Sequence, residues 1–422
     1  MKTTAKALSA LALLWTSGCA TGPQPSTDLD AGGDSPDAGA GTPFTLAKGW
    51  LQGYAIDSQG QEHALALDNG IAQYGFCAGQ CTSAASWTWS PMPGLAGVTV
   101  RSGALALDSA GHPHVAWAVT QGSTAIGSTD IVYAECSTGC ASPPSWSTVV
   151  LPSLSGLGAP WLAVDETGAV EVAFSEASDL AIAACVGNCS QSAQWSITRQ
   201  ALLPSIRSFA WAPGGVRAMT LQDSDNSFSY LECRQGCLSA ANWPTGASRP
   251  VLSGLNALSV ALTAQGEPRL AAGVQAAGTA PAAFGYFLCH GNCLLASSWS
   301  GVAFATNLLE PSVGAVGFDG AGHPYFSAGS TVGEDAEIHF CTTNCDTGTA
   351  TWLHAVLETS GDLPSIPAQP PFTLSAWSLN PPLLALDAQG HLHALYEAFH
   401  QQAEGGTGGL VTTDQTWIRY AE

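Results

Sequence analysis

The chain has 422 residues, a net charge of −21 and only 11 Lys and Arg. So few cations exclude nucleic acid as a partner, because phosphate contacts need clustered basic side chains, and they disfavour an anionic membrane surface. Charged residues are 10% of the chain against a usual figure of about 25%, with 47 Gly and 25 Pro, a composition for short strands and turns rather than helices.

The first segment, 1–19, carries Lys2 and Lys6 ahead of an apolar run from Ala7 to Trp15. That run is shorter than the roughly 20 residues a membrane span needs, and it fits the h-region of a secretory signal. Its end, Thr16-Ser17-Gly18-Cys19, resembles a bacterial lipobox, with Thr16 where Leu is usual. The resemblance implies lipidation of Cys19; the rival is a plain cleaved signal. Ala20 after the cysteine implies no retention at the inner membrane. Residues 20–43 hold no aromatic and one large aliphatic, Leu29. They cannot bury enough surface to offset ordering entropy, so a disordered acidic linker is expected.

From residue 44 the sequence repeats. Cysteines four apart occur at Cys77/Cys81, Cys136/Cys140, Cys185/Cys189, Cys233/Cys237, Cys289/Cys293 and Cys341/Cys345. A tryptophan follows the second cysteine by six residues at Trp87, Trp146, Trp195, Trp243 and Trp299, and by seven at Trp352. A second signature, Asp-x-x-Gly, leads the units at Asp57, Asp108, Asp165, Asp319 and Asp387, with Ala212 and Thr263 in two degenerate copies. Seven copies over 44–422 give about 54 residues each, the size of a propeller blade.

Each unit reads as four strands. The first is apolar and ends at the Asp, and Gly supplies the left-handed turn residue. The second alternates, as in His112–Val119. The third ends at the first cysteine, and the fourth begins at the tryptophan. This predicts an all-β, seven-bladed propeller of four-stranded antiparallel blades in one domain, 44–422. The last unit stops after a third strand, Thr416–Glu422, so Phe44–Ala47 is expected to complete blade 7 and close the ring. An open solenoid is the alternative.

Setting Cys19 aside, the 12 remaining cysteines form six pairs within repeats, read as six disulfides at the hairpin between strands three and four. Each bridge should fix the direction in which strand four leaves, so that the tryptophan lands on the blade. Zinc and iron–sulfur readings fail because each pair stands alone on its blade, without recurrent His.

The recurrent Asp is expected to cap its own turn. Six residues on lies the column His63, His114, Glu171, Ala218, Arg269, Tyr325 and His393. Three histidines on neighbouring blades suggest a metal site; the preferred reading pairs each with the Asp of its own blade. The loops between strands two and three carry acids: Asp130, Glu176 and Asp179, Asp223 and Asp225, Glu334 and Asp335, and Asp414. They should share the rim opposite the disulfides, where variable loops on a rigid scaffold bind ligands. Asp130, Asp179, Asp225, Asp335 and Asp414 are therefore the candidate binding residues; a merely solvated rim is the rival.

Sialidases resemble this chain in being propellers with repeated Asp loops. Their Asp-x-Gly differs from the Asp-x-x-Gly here, and the arginines do not share a repeat column. No G-x-S-x-G, H-E-x-x-H or P-loop is present. The body, with units such as "LALDSAGHPHVAWAV" and "IVYAECSTGCASPPSW", resembles the cysteine-paired propeller repeats of exported bacterial lipoproteins. That resemblance implies export and an envelope or secreted location, with no established activity. The expectation is a monomeric, lipid-anchored module that binds or scaffolds a glycan, a polymer or a protein. A carbohydrate-active hydrolase or lyase is the second class, and a purely structural envelope protein the third. No cofactor is expected, with calcium left open.

Overall fold

The structure, a computed structural model, describes residues 43–422 apart from 94–97, 122–128, 152–157, 177–178, 202–204, 213, 223–226, 240–241, 245–250, 253–254, 277–281, 306–310, 331–334, 348 and 405–410. The leader, Cys19 and the linker to residue 42 lie outside the described residues.

Seven antiparallel sheets stand around a common axis. Blade 1 is typical: Trp50–Ile56 innermost, then Glu62–Asp68, Ile71–Cys77 and Thr88–Pro91 at the outer edge. The inner strands of successive blades contact one another in order, and that of blade 7 returns to that of blade 1, so the ring is closed. Phe44–Lys48 pairs antiparallel with Val411–Ala421, with Phe44 opposite Tyr420 and Lys48 opposite Trp417. The N-terminal strand thus supplies the outer strand of blade 7, as the repeat count predicts.

All six disulfides form within their repeats: Cys77–Cys81, Cys136–Cys140, Cys185–Cys189, Cys233–Cys237, Cys289–Cys293 and Cys341–Cys345. A short 3-10 turn follows four of them, at Ala84–Ser86, Pro143–Ser145, Ser192–Gln194 and Ala296–Ser298. In four blades the tryptophan indole N–H then donates back to the carbonyl of the second cysteine. These distances are 2.9 Å for Trp146 to Cys140, 2.9 Å for Trp195 to Cys189, 2.8 Å for Trp243 to Cys237 and 2.9 Å for Trp299 to Cys293.

The repeats of Cys81 and Cys345 depart from this pattern. Both are bridged, yet neither carbonyl receives the indole bond: the N–H groups of Trp87 and Trp352 are buried without a partner. After Cys345 the tryptophan comes one residue late, at seven instead of six, and sits within the strand Thr351–Thr359. After Cys81 the spacing is the usual six, but the Trp87 ring stacks on Trp89, with centroids 6.0 Å apart and planes 18° from parallel.

The same indole rings clasp neighbouring blades. A tyrosine three residues before the first cysteine packs on the tryptophan of the next blade: Tyr74 on Trp146 at 5.0 Å, Tyr133 on Trp195 at 4.9 Å, Tyr230 on Trp299 at 5.0 Å and Tyr286 on Trp352 at 5.0 Å. Each such pair contributes about 0.5–1.5 kcal/mol beyond its buried area. The spacing of two cysteines and a tryptophan is thus a hairpin staple that positions a blade-to-blade contact. Trp146→Phe, which keeps an aromatic ring and removes the donor, should destabilise by about 1–2 kcal/mol in urea denaturation. Trp352→Phe should change stability less, because its donor is unpaired; equal losses would show that the hydrogen bond is irrelevant.

The turn aspartates act as caps. Asp57 Oδ1 accepts the backbone N–H groups of Gln59 and Gln61, both at 2.8 Å. Asp108, Asp165, Asp319 and Asp387 repeat the arrangement. In the degenerate blade 5, Thr263 Oγ1 accepts the Glu267 N–H at 3.1 Å, so a hydroxyl replaces the carboxylate. In blade 4 Ala212 keeps only the backbone bonds of the turn, accepting from the Gly215 N–H at 3.2 Å and donating to Val216 O at 3.0 Å.

Candidate functional site

Blade 7 is where the repeat breaks. Fourteen residues, 360–373, join the outer strand of blade 6, Thr351–Thr359, to the inner strand of blade 7; the other five blade-to-blade connections run from two residues (253–254) to ten (151–160). The long connection starts with a single 3-10 turn, Ser360–Asp362. Asp362 Oδ2 accepts from the N–H and hydroxyl of Thr359, at 2.9 and 2.8 Å, and these bonds hold its carboxyl below the ordinary range. Beyond it, four prolines at 364, 367, 370 and 371 limit the backbone and preclude a helix.

This strap is tied down on blade 7. The Trp377 indole donates to Pro364 O at 2.7 Å, the Gln369 N–H donates to Gln402 Oε1 at 2.6 Å, and the Thr373 N–H donates to Ala403 O at 3.0 Å. Leu363 is buried against Trp377 and Tyr396. Between strap and blade remains a cavity of about 280 Å³, lined by Ser360, Gly361, Leu363, Ser365, Ile366, Ser375, Ala376, Trp377 and His400.

The inner strand of blade 7 is also split, into Leu374–Leu379 and Leu383–Leu386, which pair with the two halves of Leu392–Ala403. Pro381 and Pro382 cause the break, since proline has no N–H for the ladder. Pro381 leans on blade 6, where Gly314 makes room: a Cβ there would stand 2.9 Å from the Pro381 Cβ. Opposite the break, the Glu397 carboxylate accepts from the Asn380 side chain and, across the ring closure, from the N–H of Leu51 in blade 1.

Burial pushes the Glu397 carboxyl up to about 7, against the opposing effect of these two bonds. Its proton is therefore held more tightly in the folded chain than in the unfolded one. The stabilisation is complete below the unfolded value and is lost as pH rises from about 4.5 through about 7, by up to about 3 kcal/mol. Glu397→Gln should remove this dependence: little change in Tm at pH 5 and a Tm at or above wild type at pH 8. Equal losses at both values would contradict it.

Ser375 and His400 form the polar wall of the cavity. His400 is fully buried, and its Nε2 lies 2.7 Å from Ser375 Oγ. Ser375 donates its only hydroxyl proton to Ile366 O. The remaining Ser375–His400 bond must then run from His400 Nε2–H to Oγ, which fixes the tautomer and leaves the imidazole unable to act as a base toward this serine. The pair is an orienting network, not a nucleophile and its base.

The other candidates fall as follows. Asp130, Asp179 and Asp335 stand at the start of the third strands of blades 2, 3 and 6, the ends away from the disulfides, and each is partly buried on its own blade. The cavity lies at the same end, since inner and third strands run in the same direction. Asp225 lies outside the described residues, as does the side chain of Asp414. The bridged cysteines, Cys81 and Cys345 among them, sit at the opposite end; they shape hairpins and line no part of this cavity.

The histidine column does not converge. His63 Nε2 is 3.8 Å from Asp57 Oδ2, His114 Nε2 3.8 Å from Asp108 Oδ2 and His393 Nε2 3.5 Å from Asp387 Oδ2. Each also meets its own blade's tyrosine, Tyr74, Tyr133 or Tyr420, at 2.5–2.7 Å. Burial lowers the His63 imidazole to about 4 and lowers His114 as well, so both stay neutral. This is the own-blade pairing the sequence suggests.

Sequence reasoning missed Ser375, His400 and Trp377. The available signal was the widest interval between turn positions, 68 residues from Asp319 to Asp387, where the others are 47–57.

Fold and site define a seven-bladed β-propeller with one irregular blade. No protein-family model matches the chain, and no curated protein matches it. Among solved structures, a polysaccharide lyase of family PL25, an ulvan lyase, is 9% identical over 88% of this chain and 95% of that chain, with a TM-score of 0.48. The Dos1 propeller is 7% identical over 90% and 94%, with a TM-score of 0.46. The Aleuria aurantia lectin is 11% identical over 74% and 97%, with a TM-score of 0.39. These likenesses concern architecture and say nothing about the ligand.

Proposed function

We propose that the chain is a binding module of the cell envelope, held by lipidated Cys19 or secreted, that takes a glycan or related polymer in the blade 7 cavity. The observation that carries this is the cavity itself. It sits at the place where the repeat is interrupted, walled by the longest of the connections between described blades, and departures from an otherwise consistent pattern concentrate where a protein works. The acids Asp130, Asp179 and Asp335 stand at the same end of the ring as the cavity.

Topology supports an outward-facing site. Phe44 enters the ring opposite Tyr420, at the disulfide end, whereas Ser375 and His400 lie toward the other end of blade 7. An anchor upstream of Phe44 would therefore leave from the face away from the cavity.

A carbohydrate-active hydrolase or lyase is the second reading. Glycoside hydrolysis by the usual route needs two carboxyl groups with separated pKa values flanking the bond. The nine cavity residues include no acid, which favours binding over turnover. A binding screen of glycans and polysaccharides, with calcium and with chelator, tests the proposal. Binding that Ala376→Trp abolishes, with no product formed, is the expected result. Product release, or binding indifferent to Ala376→Trp, would overturn it.

A further inference from the structure

We infer that the blade 7 cavity, if it is the binding site proposed above, recognises a single uncharged, hydroxyl-rich ring: the end of a neutral glycan rather than an internal stretch or an acidic sugar. The argument rests on size, charge and hydrogen-bond inventory.

The volume, about 280 Å³, falls just under the range of about 300–1,000 Å³ typical of drug-sized ligands. It is a cleft between strap and blade that opens to solvent, the strap contributing Leu363 and Ile366 and the blade Ser375, Ala376 and Trp377. A cleft of that size admits one ring and leaves the rest of a chain outside.

No Lys, Arg, Asp or Glu lines it and the His400 Nε2–H is spent on Ser375, so no cationic side chain of these types faces a carboxylate or sulfate to offset its desolvation. The chain's net charge of −21 opposes anions at longer range as well. The nearby cation of blade 7, Arg419, is committed to Glu358, Thr45 and Pro43.

The polar groups suit hydroxyls. The Ser375 proton is used on Ile366 O and one Oγ lone pair receives His400 Nε2–H, so one lone pair is left to accept from a ligand O–H. Ser360 and Ser365 make no hydrogen bond to the described residues, and each can donate and accept. Hydroxyls from both walls, Ser360 and Ser365 of the strap and Ser375 of the blade, with Leu363, Ile366 and Trp377 among the apolar lining, match a molecule that carries hydroxyls around an apolar ring.

The test is titration calorimetry on the full mature protein with a panel of neutral hexoses and deoxyhexoses, set against glucuronate and galacturonate, and with oligosaccharides that carry the best hexose at the non-reducing end or only internally. Expected are binding of at least one neutral monosaccharide, uronates at least tenfold weaker, and oligosaccharides bound only with that residue terminal. Ser375→Ala should weaken the neutral sugar about tenfold and lower Tm by a few degrees, since it also removes the partner of buried His400, and Ala376→Trp should abolish binding. Uronates bound as tightly as their neutral counterparts, or internal residues bound as well as terminal ones, would overturn the inference. If glycan chains bind in an Ala376→Trp-sensitive way but no single sugar does, the single-ring inference fails and the cavity reading stands. If bound sugars ignore both substitutions, the cavity reading fails too.

Discussion

Deleting Phe44–Lys48 is expected to open the ring and remove most of the protein's stability. The segment supplies the outer strand of blade 7, where it covers Trp417–Tyr420, and without it Val411–Ala421 is left paired on its inner side only. Leu46 is buried, which contributes about 1.5–3 kcal/mol. Phe44 packs on Tyr420 with ring centroids 5.2 Å apart, adding about 1 kcal/mol. Arg419 loses its acceptor Thr45 Oγ1, at 2.8 Å, and the Pro43 carbonyl it meets at 3.1 Å is no longer held in register, while Arg419 remains mostly buried. Together these losses approach the 5–15 kcal/mol that holds an ordinary domain folded. Exposed edges of this length also recruit other chains. The deleted protein should melt at least 10 °C lower and elute as larger species in size-exclusion chromatography. A deletion variant with wild-type Tm and elution volume would show that the ring closes without its N-terminal strand.

Arg419→Ala should be nearly as damaging, and by a separable mechanism. Its guanidinium forms a buried bidentate pair with Glu358 on the outer strand of blade 6, and Tyr396 donates to the same carboxylate at 3.1 Å. One residue thus joins blade 6, blade 7 and the N-terminal strand. Removing it strands a buried carboxylate, which typically costs about 3–5 kcal/mol. Removing both charges is different, since a buried pair repays little more than its own desolvation. Glu358→Leu combined with Arg419→Met should therefore recover much of the loss from Arg419→Ala. Urea denaturation of the two single variants and the double variant measures this. A double variant as unstable as the sum of the singles would mean the pair is not coupled.

The propeller was legible in the sequence because two signals recur with the period of the fold. Cys-x-x-x-Cys with its tryptophan fixes the outer hairpin, and Asp-x-x-Gly fixes the inner one, so strand order follows from their alternation. Even the degenerate copies are readable afterwards: Thr263 keeps the cap with a hydroxyl and Ala212 does without. The late tryptophan after Cys345 marked a copy that loses the indole bond. The matching loss at Cys81 had no such mark, because it depends on the packing of Trp87 against Trp89 and not on spacing. The closure was legible because the last unit lacks a strand and the first has one to spare.

The cavity was not legible, for the same reason. Ser375 and His400 are 25 residues apart, and only the pairing of Leu374–Leu379 with Leu392–Ala403 brings them together. Neither belongs to a repeated column. The strap sequence "GDLPSIPAQPPF" reads as a loop, and nothing local says that Trp377 will fasten it. Seams between blades were equally hidden. Glu171 and Arg269 appeared in a column with the histidines, yet Glu171 pairs with Arg217 of blade 4, and Arg269 reaches Asp346 of blade 6 at 3.4 Å. Periodicity reports contacts within a unit, and contacts between units depend on the rotation of one blade against the next.

The account stands on blade 7 as the working blade. Amide hydrogen exchange with and without a bound glycan tests that most directly. Protection should appear in 360–377 and around His400, and the third-strand starts at Asp130, Asp179 and Asp335 should exchange as before. Protection at those acids, with 360–377 unchanged, would place the ligand on the acidic rim and contradict the account.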